Sequence, residues 1–326
     1  MAGERPEPEV SVVILTKNGG PEFARCLAGV FAQETAWPYE VLVIDSGSTD
    51  GTLEVARRYP TRLMQIRPEE FNHGATRNLG AEQARGRYIA FLTQDAIPAD
   101  AHWLSPLVAA LQDASVAGAF SRQLPKADCN VLARRALERW AAGGTERLVK
   151  AFPDPAQYAA LSPWERFWLA AFDDVSSCLR RDVWQRFPFA QVYFGEDIEW
   201  ARRVLEAGYR LVYEPASRVY HSHNRSVSYE FQRTYVDHQN LHRLFGLTLI
   251  PTWGSALNCV LRGTGDYWRY VLQSQAGWGE KVRLLALVPF LTPAQVFGQY
   301  LGARSDELIS RYPWFAKLDQ ALRRGI

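Results

Sequence analysis

Short apolar runs alternate with stretches of helical period through the first half of the chain. Val10-Ser-Val-Val-Ile-Leu15 is β-branched and bounded by Pro8 and Asn18-Gly19-Gly20, which predicts a central strand. Pro21 to Gln33 then carries Phe23, Leu27, Val30 and Phe31 on one helical face. Tyr39 to Ile44 predicts a second buried strand ending in Asp45. Ser48-Thr-Asp50-Gly51-Thr52 opens another helix, and Arg62 to Ile66 is a third strand. A helix around Thr76 to Ala84 leads into Arg87-Tyr-Ile-Ala-Phe-Leu-Thr-Gln-Asp95, a strand closed by a carboxylate. This alternation predicts an α/β fold with a mostly parallel central sheet and helices on both faces.

The pattern loosens after Gln123. Residues 128–170 read as helical and aromatic, with Ala142-Gly143-Gly144 as a break. Ser176 to Leu179 predicts a short strand, Arg181 to Gln185 a helix start, and Glu196 to Ala207 a helix stopped by Gly208. Tyr209 to Tyr213 and Arg218 to Tyr220 read as strands. From Tyr229 onward the period is helical, which places a domain boundary near residue 228: 1–228 as one domain, 229–326 as a helical C-terminal region.

With 326 residues, the chain can bury a sizeable core. A net charge of +2, with no basic stripe, gives no reason to expect nucleic acid as a partner. Four widely spaced cysteines without a CxxC pair read as core residues in a reducing, cytoplasmic compartment. The N-terminus lacks the apolar segment of a signal peptide. The longest apolar stretch, Val282 to Gly302, is interrupted by Arg283, Pro289, Pro293 and Gln295, which argues against a spanning helix.

Open α/β sheets place ligand chemistry at the carboxyl ends of their strands, which directs attention to the polar residues there. Asp45 can accept hydrogen bonds from a nucleotide, with Gly47 permitting a tight turn, or Asp45 or Ser48 can simply cap the next helix. Arg77, after Asn72-His73-Gly74, suits a diphosphate or stands solvated on a capped helix. Asp95 can anchor a divalent cation or close a turn before Ile97-Pro98. Glu196 and Asp197 favour a helix start through the dipole alone, and either can face a cleft as a general base. His221 and His223 fit a metal ligand, a phosphate contact or an ordinary turn hydrogen bond.

Together these residues resemble inverting glycosyltransferases of family 2, which have the GT-A fold, a Rossmann-like sheet. The match runs in order through Thr16-Lys-Asn18, Asp45 to Asp50, Gly74 to Asn78, Thr93-Gln94-Asp95 and Gly195-Glu196-Asp197, over roughly residues 10 to 225. Phe71-Asn-His-Gly74, Phe91-Leu-Thr-Gln-Asp-Ala96 and Val219-Tyr-His-Ser-His-Asn224 resemble the rhamnosyltransferase branch. That branch uses a dTDP-β-L-rhamnose donor and builds bacterial surface polysaccharides.

The resemblance implies specific roles. Asp45 recognises the pyrimidine, and Thr16 to Asn18 line the same pocket, with Gly47, Thr93 and Gln94 also on the donor side. Arg77 lies near the diphosphate. Asp95 binds Mg2+ or Mn2+, with His221 or His223 completing the shell. Asp197 is the base, supported by Glu196. Thr93 departs from the usual DxD pattern by replacing its first aspartate. The aromatic residues and the mixed basic and apolar run Glu280 to Val288 suit attachment at the inner face of the cell membrane, where a lipid-linked glycan acceptor would be presented, or a helical lid or dimer contact. The C-terminal region then serves acceptor, membrane-surface or oligomer contacts. A UDP-sugar transferase and a non-catalytic sugar-binding protein are the competing functions.

Overall fold

β-Branched runs with no polar face suit strands covered on both sides, and parallel strands require crossover connections that supply that cover. The computed structural model describes residues 7–152 and 154–324. Val10–Thr16 (β1), Tyr39–Asp45 (β2), Arg62–Gln65 (β3) and Tyr88–Thr93 (β4) pair parallel in the order β3-β2-β1-β4. Gly20–Phe31 (α1), Thr52–Arg57 (α2) and His73–Gln83 (α3) connect them. Phe23 and Leu27 of α1 are fully buried in one core with Val12, Ile14 and Val43. Register matters most: Thr16 lies opposite Asp45 and Leu15 opposite Thr93, so three strands end at one edge.

Beyond β4 the sheet is mixed. Ile97–Pro98 (β5), Leu104–Ala110 (α4), Val116–Leu124 (β6), Val131–Glu138 (α5) and Leu148–Ala151 (β7) follow in the chain. Next come Pro155–Ala160 (α6), Pro163–Ala170 (α7), Ser176–Arg180 (β8), Arg181–Arg186 (α8), Glu196–Glu206 (α9) and Arg210–Tyr220 (β9). The full order is β3-β2-β1-β4-β8-β6-β9-β5, with β7 on β9. β8 is antiparallel to both β4 and β6, which brings the segment before it to the edge where β4 ends.

Three details differ from the pattern-based expectation. Residues 116–124 and 148–151 are strands within stretches that show no clear period of two. Residues 210–220 form one strand, its pairing with β6 shifting register near Pro215, between the Glu214 and Arg218 pairs. The compact units divide after Ser222, and the second also includes residues 127–136 and 161–167.

That second unit is helical: Val227–Phe245 (α10), Trp253–Gln273 (α11), Trp278–Gly302 (α12), Ser305–Arg311 (α13) and Pro313–Arg323 (α14). Ser226 caps α10 by accepting from the Tyr229 N–H. α12 packs along α10 and α11. A Cβ on Gly302 would sit 2.2 Å from the Tyr235 carbonyl oxygen, so glycine sets how closely α12 approaches α10. Tyr235 donates to Asp319 at 2.7 Å beneath this contact. α12 is long and apolar enough to cross a membrane, with mean hydropathy 1.3, and 39% of its most apolar window is buried inside the protein.

In the first unit a chain of buried hydroxyls ties the sheet to Trp103. Ser121 Oγ contacts Ser176 Oγ at 2.6 Å and Ser217 Oγ at 2.7 Å; Ser217 donates to the Trp103 carbonyl, and the Trp103 indole donates to Ser176. Removing the central hydroxyl leaves buried groups short of partners. Ser121→Ala lowers stability by about 1–3 kcal/mol. Urea denaturation checks this, the midpoint falling while the slope stays unchanged.

Candidate active site

The shared edge of β1, β2 and β4 is stitched by side-chain to backbone bonds. Gln94 Oε1 accepts from Thr16 Oγ1 at 2.7 Å and the Lys17 N–H at 2.9 Å, while its amide donates to the Lys17 carbonyl. Asn18, in a left-handed conformation, donates its N–H to Ser48 Oγ and accepts from the Thr49 N–H, both at 2.8 Å. Asp45 is fully buried. Its carboxylate accepts from the Gly47 and Ser48 N–H groups at 3.0 Å and from the Ser48 hydroxyl. Gly47 has φ +90°, the conformation that lets the chain fold back over that carboxylate. Thr93 Oγ1 is buried with no hydrogen-bond partner among the described residues.

Asp95 lies one turn beyond, 3.6 Å from His221 Nε2 and 3.7 Å from Lys126 Nζ. His223 follows on the segment leaving β9, and Asp95, His221 and His223 hold ligand atoms within 4.8 Å of one another. The imidazole of His221 is oriented from behind. Its Nδ1 is 2.8 Å from Gln123 Oε1, and Gln123 Nε2 donates to Asp173 Oδ2 at 2.7 Å. A carboxylate only accepts, so Gln123 turns its NH2 toward Asp173 and its carbonyl toward His221. Nδ1 then carries the proton, and Nε2 presents a lone pair on the side of Asp95. A carboxylate with two imidazoles, one locked in the ligating tautomer, fits a divalent cation.

A second cluster gathers four acids around one arginine. Arg77, on α3, is buried and paired with Glu196, with its Nε 3.4 Å from Asp174 Oδ2. Arg77 was expected near a diphosphate. Its guanidinium is instead enclosed by two carboxylates and has little left to offer a ligand. Asp174 also accepts from Ser177 at 2.6 Å. Burial pushes Asp174 up to about 6 against the pull of Arg77, with Glu196 and Asp173 adding repulsion. Asp174 therefore stabilises the fold most at pH below the ordinary carboxylate range, and this contribution is lost as pH rises through about 6.

Glu196 and Asp197 both open α9, where the helix dipole favours acids. Only tertiary contacts tell them apart. Glu196 is buried and neutralised by Arg77. Asp197 keeps partial exposure while accepting from the Ile198 N–H at 2.8 Å and the Asp174 N–H at 3.4 Å. Loss of solvation raises its carboxyl well above the usual range, helped by repulsion from Glu196, Asp174 and Asp173.

Sequence patterns missed Asp173, Asp174, Gln123 and Lys126. The adjacent acids of Phe172-Asp-Asp-Val175, set in an otherwise apolar stretch, were the available signal. Gln123 and Lys126 gave none, since each reads as a solvated residue after a strand. The structure brings Thr16, Asn18, Asp45, Gly47, Thr93 and Gln94 to one edge, and Asp95 to His221 and His223. Glu196, Asp197 and Arg77 form the neighbouring acid cluster.

Arg77→Met strands two buried carboxylates and destabilises the first unit by about 3–5 kcal/mol. Thermal unfolding at neutral pH checks the loss, which shrinks at acid pH as Asp174 takes up its proton.

Residues 11–162 match the family model described as glycosyl transferase family 2. The O-antigen chain rhamnosyltransferase WbaN of Salmonella anatum is 34% identical over 230 residues, covering 69% of this chain and 70% of that protein. The O-antigen chain rhamnosyltransferase RfbN of Salmonella typhimurium (strain LT2) matches with the same identity and coverage. Among solved structures, S. aureus TarS 1-349 in complex with UDP-GlcNAc superposes with a TM-score of 0.51 at 17% identity, over 95% of this chain and 83% of that one. The fold is thus that of the GT-A glycosyltransferases, and the chain belongs to glycosyl transferase family 2.

Proposed function

We propose that this glycosyltransferase moves L-rhamnose, with inversion at C1, from dTDP-β-L-rhamnose to a hydroxyl of a lipid-linked glycan during assembly of a bacterial surface polysaccharide. One observation carries the donor assignment: 34% identity over 230 residues to O-antigen chain rhamnosyltransferases. The setting is the cytoplasm, at the inner face of the cell membrane.

Asp197 is the base. It combines partial exposure with a carboxyl that burial and the repulsion of Glu196, Asp174 and Asp173 hold well above the usual range, which favours taking up a proton. It takes the acceptor hydroxyl proton as that oxygen bonds to C1 and the bond from C1 to the diphosphate breaks. The proton ends on Asp197 and the charge on the departing dTDP. Glu196, pinned by Arg77, fixes the start of α9 and so the place of Asp197.

The loops at Thr16–Asn18 and Asp45–Ser48 form the pyrimidine pocket, with Asp45 shaping it through its own turn. Thr93 offers its unpaired hydroxyl to the donor side, and Gln94 holds the first loop in place. Lys126, paired with Glu22 and 3.7 Å from Asp95, is a cation beside the cluster of Asp95, His221 and His223. Asp95, His221 and His223 would hold a divalent ion, which when bound offsets negative charge on the leaving group. Two nitrogen ligands suit Mn2+ better than Mg2+, whose preference is for oxygen.

Turnover of dTDP-rhamnose, measured as nucleotide release with extracted glycolipid acceptor, tests the assignment. A preference for UDP-hexoses overturns the donor, and tight dTDP binding without transfer favours a non-catalytic role. Asp197→Asn loses about 10²–10⁴-fold in kcat while dTDP affinity survives. The pH profile of the parent rises with pH, because the base must be ionised, with an apparent pKa above the ordinary carboxylate range. Asp174→Asn removes a like charge and moves that limb to lower pH.

Gln123→Leu frees the ring of His221. Mn2+ affinity measured by titration calorimetry then falls by about 10–100-fold. Equal Mn2+ affinity in the variant and parent removes the histidine from the metal shell.

A further inference from the structure

The second unit carries an apolar surface that its own packing leaves open. On α11, Trp253, Leu257, Leu261, Trp268 and Leu272 are between 42% and 75% exposed. At 3.6 residues per turn these five positions fall within about 100° of the helix circumference, one continuous stripe. Ala256, about 60° behind Trp253 on the helix circumference, marks the buried side of the same helix. α12, packed beside it, adds Trp278, Val282 and Phe290, exposed by 73%, 63% and 67%. Single exposed apolar residues are ordinary, but eight large ones on two neighbouring helices are not.

The border of the stripe is cationic. Arg262 and Arg269 lie roughly a quarter turn beyond it on α11, and Lys281 and Arg283 flank Val282 on α12. The acids in the same stretch are occupied: Asp266 pairs with Arg269 at 3.0 Å, and Glu280 accepts from the Val131 N–H at 3.2 Å. Tryptophans stand at the start of α11, late in its length and at the start of α12. Indole rings and long cationic side chains both favour the boundary between apolar chains and charged headgroups.

We propose that the α11–α12 face docks on the surface of an anionic lipid bilayer, lying in the interface without crossing it. The buried fraction of α12, and the closeness of Gly302 to the Tyr235 carbonyl, hold that helix within its own unit. Binding by the stripe needs no sugar donor, so the proposal stands or falls separately from the transfer chemistry.

The full chain is sedimented with extruded vesicles of phosphatidylcholine alone, or of phosphatidylcholine and phosphatidylglycerol in equal parts. Binding to the mixed vesicles is expected, with a blue shift of tryptophan emission and weakening at high salt. The double variant Leu257→Glu/Leu261→Glu, both positions being exposed, keeps its helical circular dichroism and loses about tenfold or more in vesicle affinity. Arg262→Glu/Arg269→Glu loses affinity for the mixed vesicles alone. The proposal is overturned by a chain that stays in the supernatant with both vesicles, or by vesicle binding that the leucine variant leaves unchanged. It is overturned equally by a dimer in light scattering that the leucine variant dissociates, which would make a second copy the occupant.

Discussion

The segment entering β8, Asp173-Asp174-Val175, links both halves of the site through contacts from each of its three residues. Asp173 accepts from Gln123, which orients His221 toward Asp95. Asp174 pairs with Arg77 and donates its N–H to Asp197. The Val175 carbonyl accepts from the Thr93 N–H, fixing the segment to the end of β4. Its position follows from β8 running antiparallel between β4 and β6, which delivers its first residues to the edge where the parallel strands finish.

Such a concentration of acid is tolerated because each carboxylate has a different compensation. Glu196 has a buried guanidinium, Asp173 has an amide and the Trp140 indole, and Asp174 has Arg77 and a hydroxyl. Asp197 has the weakest compensation and the most solvent. Burial and the neighbouring acids hold its carboxyl well above the usual range. A positively charged residue in the middle of a site does not have to touch substrate. Arg77 works by deciding which of two adjacent acids is neutralised.

Much of the sheet edge was legible because strand ends are legible. An apolar run that stops at a polar residue places that residue at the sheet edge, and parallel neighbours place their ends together. Asp45 and Asp95 come from that rule, while Thr16 and Thr93 were marked by the family resemblance. The choice between Glu196 and Asp197 was not legible, since both satisfy the helix dipole equally. Nor was the meaning of Arg77: a helix-borne arginine beside a glycine reads the same whether it faces a phosphate or two buried acids.

The sequence by itself determined the alternation of strands and helices, the carboxylates that end strands, and the helical character of the C-terminal third. These depend on period, β-branching and turn residues, which act over a few positions. Only the tertiary structure decided that Gln123 stands behind His221, 98 residues away, and that Arg77 meets Glu196 across 119. It also decided which faces of α11 and α12 stay open, because amphipathic spacing marks a face as apolar but not whether protein covers it. Pairings across the sheet depend on strand order, and the antiparallel insertion of β8 is a property of the whole sheet that no local stretch encodes.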